Sequence, residues 1–409
     1  VSPPAKGIRL VLSDRSVVAV VGIAFVIMLG NGMVLPVLPL FARSFGVGYE
    51  AAGLLIAGYG IARIACDLGA GLVVDRVGER SSGGAGLLAM AGFALLTGLA
   101  PTFAAAVAFW AAVGAVSAVA QTASYAFLLR VVPQGRMART MGIFYGAFNV
   151  GLAAGGFGGG FLADQVGLES PLYAAAGLYA VAALLYLRFV PRRDFLPTVG
   201  SDGSAARPPA VRRIVAVMRT PGLAPAFVSQ LAYLWMFSAV FGTLLPLFGR
   251  DELGMSPAAI GIVFAVALAV ELVVLYPAGT AADRHGRKAV LVPALAGLAA
   301  LTAVIGFAGG QVVLGLLVGA LGVASGLTGV SPSAMLSDVV PRSDLGTAAG
   351  VFRLFGDVGF ALGPLVAGAV GAGVGLREAF FVSAAPAVVA LALVLRTRET
   401  LRRAREPAS

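Results

Sequence analysis

Five ionisable side chains stand inside stretches otherwise apolar enough to cross a lipid bilayer: Arg63, Asp67, Glu271, Arg353 and Asp357. An ionised group in hydrocarbon costs several kcal/mol, so such residues face a cavity, an opposite charge or a proton path. The three carboxyls can take up and release protons. Each arginine stands four residues before an aspartate, Arg63 before Asp67 and Arg353 before Asp357, a spacing that allows pairing within one helix. Other chemistry lacks its constellation. His285 is the only histidine and Cys66 the only cysteine, so no metal set and no intrachain disulfide can be assembled from them. No nucleophile has an identifiable base, and no P-loop pattern occurs. The reading is therefore not an enzyme and not an ATP-driven pump, with no cofactor and no metal.

The elements that must position these charges are membrane helices. Of 409 residues, 59% are apolar and only 12% charged, a balance that needs lipid as solvent. Apolar runs recur between short breaks of Gly, Pro or Arg, and at about 20 residues per span they predict about twelve spanning helices. Spanning strands would alternate, whereas Ser16 to Leu40 and Phe103 to Phe127 are almost continuously apolar. The net charge of +10 does not point to nucleic acid, because the basic residues sort by loop. Alternate loops hold most of them, and the opposite face keeps Arg43, Arg250 and Arg377. By the positive-inside rule both termini are cytoplasmic. Ser16 to Leu40 is long enough to stay as the first span rather than be cleaved. Arginine over lysine, with abundant Ala, Gly and Val, points to a bacterial gene of high GC content and to a multi-pass protein of the inner membrane.

The chain is also duplicated. The run Gly71-Leu-Val-Val-Asp75-Arg76-Val-Gly78-Glu-Arg80 returns 208 positions later as Gly279-Thr-Ala-Ala-Asp283-Arg284-His-Gly286-Arg287-Lys288. The same shift carries Gly53 onto Gly261, Pro133 onto Pro341, Gly142 onto Gly350, Gly151 onto Gly359 and Gly155 onto Gly363. Two rocking halves of a transporter are built this way. The expected organisation is an N-terminal six-helix bundle over 1–190, a cytoplasmic linker over 191–221 and a C-terminal six-helix bundle over 222–409 that ends in a basic, solvated tail after Leu395. Within the linker, Val211 to Met218 reads either as a short interfacial helix or as an unstructured tether.

These motifs resemble the major facilitator superfamily, and specifically its 12-helix drug:proton antiporters. The G-x-x-x-D-R-x-G-x-[RK] turn is similar to that family's motif between spans 2 and 3, with its second copy between spans 8 and 9. The resemblance covers the whole chain and implies an all-α membrane protein of two pseudo-symmetric bundles. Gly142, Gly151, Gly155, Gly156, Gly159 and Gly160 in span 5 resemble the antiporter motif, with Gly156 in place of its proline. Gly350, Gly359, Gly363 and Pro364 repeat the spacing. Glycine at every fourth residue makes a flat face on which another helix packs closely. The family's arginine in span 4 is absent, and span 1 offers only Asn31 where some exporters of cationic drugs carry an acid, so strongly cationic substrates are not supported.

In the resembling family spans 2 and 11 touch, as do spans 5 and 8. That placement implies a ladder in which Arg63 faces Asp357 and Asp67 faces Arg353, with pairing inside each helix as the alternative. The repeat puts Glu271 at the position of Arg63, with Asn149 and Tyr145 at those of Asp357 and Arg353, so Glu271 would face neutral partners. Glu271 is the first candidate for proton carrier, ahead of Asp357 and Asp67. The two charged turns are expected to act conformationally, with Arg80, Arg287 and Asp338 completing a clasp. The central chamber of such transporters would draw its polar groups here from Asn31, Gln121, Tyr125, Asn149, Tyr233, Trp235, Ser238, Ser325 and Thr328, a set suited to an amphipathic or aromatic molecule. The implied function is a proton-coupled exporter of such molecules, and the alternative is an uptake symporter or lipid translocator of the same fold. Expected partners are the small-molecule substrate, protons and membrane lipid, with no nucleic acid, and the chain is expected to act as a monomer.

Overall fold

A computed structural model describes residues 15–132, 134–191, 210–220, 222–341 and 344–401. The N-terminal basic stretch, Pro133, most of the linker (192–209), Arg342 and the tail beyond Leu401 lie outside the described residues, as does the side chain of Arg136. The described chain is helical throughout its ordered elements. They are α1 (Arg15–Val34), α2 (Leu38–Arg43), α3 (Tyr49–Val77), α4 (Glu79–Gly98), α5 (Phe103–Val131), α6 (Gln134–Gln165), α7 (Ser170–Phe189) and α8 (Ala210–Met218). After these come α9 (Ala224–Met236), a π-helical stretch (Phe237–Leu244), α10 (Leu245–Asp251), α11 (Pro257–His285), α12 (Arg287–Ile305), α13 (Gln311–Val339), α14 (Leu345–Gly373) and α15 (Leu376–Arg396).

Ten of these segments are long and apolar enough to cross a membrane, and α3, bent by 59° between Asp67 and Gly69, makes an eleventh. With the 32-residue α6, the described residues supply twelve long helical segments in chain order, the seventh being Ala224–Asp251. That segment is not one regular α-helix. Pro246 cannot donate to the carbonyl of Gly242 and crowds it, and the turns before it widen into the π pattern. Thr243 Oγ1 donates to the Ser238 carbonyl at 3.0 Å inside this stretch.

The chain divides by internal contacts into two units, one within Val1–Asp194 and Leu245–Ala269, the other within Phe195–Leu244 and Val270–Ser409. In the first, α1 packs on α6 and α7, and α4 on α5 and α7. In the second, α9 packs on α14 and α15, and α12 on α13 and α15. Each packing in one list has its repeat equivalent in the other. Left-handed glycines recur in the same way, Gly46 with Gly254, Gly78 with Gly286 and Gly167 with Gly375. At Gly78 (φ 87°) and Gly286 (φ 106°) the backbone leaves one helix and starts the next without an intervening loop, a reversal that a side chain would strain. A further sextet, Leu38-Pro39-Leu40-Phe41-Ala42-Arg43 and Leu245-Pro246-Leu247-Phe248-Gly249-Arg250, recurs 207 positions apart. All but the arginines are buried.

Because lipid is as apolar as leucine, cohesion between these helices rests on close packing of small residues. Cβ atoms at Gly151, Gly155 or Gly159 of α6 would collide with the carbonyls of Phe25, Leu29 and Met33 on α1. Gly156 and Gly160 serve a second face, seating Phe264 and Gly261 of α11. Gly142, the first glycine of that motif, faces open space. In the second unit Gly359 lies against the Leu231 carbonyl, and Gly363 against Trp235 and Ser238.

Candidate functional site

Three helices of the second unit converge on Glu271. It sits in α11 within an uninterrupted apolar stretch and is only 5% exposed. Tyr233 of α9 donates its hydroxyl to Oε1 at 2.5 Å, and Ser325 of α13 donates to Oε2 at 2.8 Å. Gly326 brings α13 this close, since a Cβ there would stand 2.8 Å from the Glu271 carbonyl. Both carboxylate oxygens are thus satisfied by neutral hydroxyls. Among the described residues no cation hydrogen-bonds or ion-pairs with Glu271. The neutral partners are Tyr233 and Ser325. Asn149 and Tyr145, which the repeat offset nominated, bond elsewhere: Asn149 Nδ2 donates to the Tyr145 carbonyl at 2.9 Å, and the Tyr145 and Tyr125 hydroxyls share a 2.6 Å hydrogen bond. Ser238 and Thr328 are fully buried and donate to their own helices, at the carbonyls of Leu234 and Ala324. Trp235 Nε1 is buried without a hydrogen-bond partner among the described residues.

In the first unit the position equivalent to Glu271 is Arg63, and here the surroundings open. A small recess lies between α1, α3, α4, α5 and α6, with Asn31, Arg63, Gln121, Phe144 and Phe148 among its walls. Arg63 Nη2 donates to Gln121 Oε1. Asn31 Oδ1 accepts from Tyr179 Oη at 2.8 Å, while its Nδ2 meets the Met28 thioether at 3.7 Å. Tyr59 Oη donates to Ser117 Oγ at 3.0 Å, and Ser117 Oγ donates in turn to the Gly114 carbonyl at 2.7 Å. Helices α3 and α5 touch at Gly114, where a Cβ would collide with the Tyr59 carbonyl. Tyr59, Ser117, Tyr179 and the two phenylalanines are wall or supporting residues that the sequence reading missed. Ser117 had a signal, since it stands 208 positions before Ser325.

The remaining membrane charges pair along their own helices, Arg63 Nε with Asp67 at 3.9 Å and Arg353 Nε with Asp357 at 3.6 Å. At the second charged turn Arg287 joins Asp283 at 2.5 Å to Asp338 at 3.1 Å. In the first, Glu79 pairs with Arg130 at 3.0 Å; Asp75 and Arg76 are exposed, as is Arg284 at the second turn.

The segment after Leu395 is only partly the solvated tail expected: Arg396 and Arg398 are exposed, whereas Glu399 and Thr400 dock on the second charged turn. Glu399 accepts from the backbone N–H groups of Arg287 and Lys288, both at 2.9 Å. Lys288 Nζ in turn donates to the carbonyls of Leu395 and Thr397. Thr400, 2% exposed, donates to Asp338 at 3.3 Å. Glu399 thereby caps the N-terminus of α12, where helix amides favour a negative charge. Gly286 leaves room for it, since a Cβ there would lie 2.6 Å from Glu399 Oε2.

Comparison with known proteins agrees with this architecture. The family model described as Major Facilitator Superfamily matches residues 20–256 and again 226–409. A multidrug resistance protein of Citrobacter koseri, MdtG, is 27% identical over 383 residues, spanning 91% of this chain and 92% of its own length. An uncharacterized MFS-type transporter of Methanocaldococcus jannaschii is 26% identical over 161 residues, which covers 39% of this chain and 42% of that relative. The crystal structure of a mutant of the nucleoside transporter NupG superposes with a TM-score of 0.77 at 16% identity, over 93% of this chain and 99% of that one. At that identity the likeness concerns the fold alone.

Proposed function

This chain belongs to the Major Facilitator Superfamily, and from that premise we propose that it is a proton-coupled exporter of small amphipathic or aromatic organic molecules, working by alternating access. The observation that carries the reading is Glu271, a carboxyl buried in a spanning helix and held by the Tyr233 and Ser325 hydroxyls. Ionisable groups at such depth mark proton relays. A bound proton turns one carboxyl oxygen from acceptor to donor, so loading Glu271 obliges a hydroxyl on α9 or α13 to turn. Proton occupancy is thereby coupled to the bonds that join three helices of the second unit. Similarity to a multidrug resistance protein along nearly its whole length supports export of organic molecules.

Asp67 and Asp357 are secondary proton sites in this reading. The ladder of Arg63 with Asp357 and Asp67 with Arg353 is the latch of one conformational state, with the pairs inside each helix as the other arrangement. A double-mutant cycle on Arg63 and Asp357 tests it, and additive losses remove it. The charged turns act as clasps on the cytoplasmic side of a bacterial inner membrane, with both termini on that side.

Everted membrane vesicles with an acid interior test the whole reading. The wild-type chain accumulates an amphipathic dye inside them and loses it when an ionophore collapses the gradient, and Glu271→Gln lowers accumulation at least about ten-fold. Undiminished accumulation by Glu271→Gln would sink the proton role. Movement in the opposite direction would convert the reading to uptake symport.

A further inference from the structure

Between Asp202 and Asp251 the chain has no acidic residue, and the first part of that stretch carries Arg207, Arg212, Arg213 and Arg219. Its charge is wholly positive. Within it α8 places apolar residues at 211, 214, 215 and 218, the spacing of a helix with one apolar stripe. At about 3.6 residues per turn, Arg212 and Arg219 fall on one line beside the Val215 edge of that stripe.

The protein leaves the stripe uncovered. Helix α8 packs on α14 and Val217 is buried at 5% exposure, but Ile214, Val215 and Met218 remain 38%, 39% and 48% exposed. One face is spent on the protein, and the next is free. Arg212 and Arg219 are exposed, and among the described residues neither side chain hydrogen-bonds or ion-pairs. Only residues 219–223 separate α8 from α9, which opens the span Ala224–Asp251, and Gly222 (φ 91°) turns the chain between them. At no more than about 3.5 Å per residue, so short a connection keeps α8 near the end of a membrane-crossing helix, where headgroups meet acyl chains.

We propose that α8 is a docking helix for anionic lipid: Ile214, Val215 and Met218 enter the leaflet, and Arg212 and Arg219 meet the phosphates of anionic headgroups. In water the stripe would leave apolar surface hydrated at a cost, whereas at a bilayer surface its insertion and the attraction of the arginines act together. The charges select the occupant. Every charged residue from 203 to 250 is an arginine, and attraction to an anionic leaflet adds from one basic side chain to the next. The dock is independent of Glu271, of the substrate and of the direction of transport.

The full-length chain, with Cys66→Ser and a bimane label at Val215→Cys, is reconstituted in vesicles of brominated phosphatidylcholine, with and without about 30% phosphatidylglycerol. Bromine on the acyl chains quenches the label only on contact, so quenching reads insertion of the stripe. Quenching should be at least about two-fold stronger with the anionic lipid, and salt at about 1 M should remove most of that gain by screening. Arg212→Gln with Arg219→Gln should quench alike in both vesicles, whereas Arg212→Lys with Arg219→Lys should keep the gain, because surface attraction needs charge rather than a planar fork. Equal quenching of the arginine-bearing chain in both vesicles overturns the anionic preference. No quenching in either means that water or protein covers the stripe, and overturns the dock altogether. An undiminished gain in the glutamine pair overturns the assignment to these two arginines. The two vesicle compositions decide for the arginine-bearing chain even if a further variant fails to fold.

Discussion

One position of the repeat carries Arg63 in the first unit and Glu271 in the second, and their surroundings differ as much as their charges. Arg63 lies on an open recess beside Gln121, whereas Glu271 is closed in by Tyr233 and Ser325 at 5% exposure. The serine is common to both frames. Ser117 receives the hydroxyl of Tyr59 in the first unit, and Ser325 gives its own to Glu271 in the second. A single backbone frame, copied once, thus holds either an arginine at the edge of a recess or a carboxyl sealed among hydroxyls. The side chain at that position and the aromatic opposite it decide which.

The contrast is broken most directly by reversing the sealed charge. Glu271→Arg leaves a cation among neutral groups and should cost about 3–5 kcal/mol, while Arg63→Lys, which keeps a cation beside Asp67 and gives up the hydrogen bond to Gln121, should cost about 1 kcal/mol. Thermal unfolding of both variants in detergent, followed by gel filtration, compares them. Equal losses would mean that enclosure does not separate the two sites.

A finer cut uses the shared serine. Ser325→Ala removes a donor from a buried carboxyl, worth about 1.5–3 kcal/mol if that group is ionised, whereas Ser117→Ala removes a neutral link worth about 1 kcal/mol. Proton-driven accumulation should fall several-fold for Ser325→Ala and stay within about two-fold for Ser117→Ala. Matching declines would give the two serines one structural role and strip the second site of its special standing.

Much of this was legible in the chain because the signals were local or periodic. Apolar run length gave the spans, and the 208-residue offset relates packings such as α1 on α6 and α9 on α14. Gly78 and Gly286 announced turns that need a positive φ. Less was legible where contact depends on which side of a membrane helix points inward, because lipid-facing and buried faces are equally apolar and leave little amphipathic signal. Phe144 and Phe148 were hidden as recess walls for that reason, and so was Tyr233 as the partner of Glu271. The π-helical stretch before Pro246 replaces what pattern alone reads as one straight helix. Glu399 was invisible for a different reason: it reaches the turn at Gly286 from 112 residues beyond Arg287.

That contact extends the comparison to the two charged turns and yields the smallest effects. The first turn holds Glu79 against Arg130, a pair whose arginine is 49% exposed, so screening limits Glu79→Gln to about 0.5 kcal/mol. The second turn is capped by Glu399 on two helix amides. Glu399→Gln removes the charge and one good acceptor, and should cost about 1 kcal/mol. Global stability resolves such a difference poorly, whereas amide exchange reads it at the site. Peptides containing Arg287 and Lys288 should exchange several-fold faster in Glu399→Gln, with peptides spanning Gly78 to Ser82 unchanged; Glu79→Gln should leave both nearly as they were. Faster exchange at both turns in either variant would mean that the turns loosen together, and the cap on α12 would then be an incidental contact rather than a local restraint.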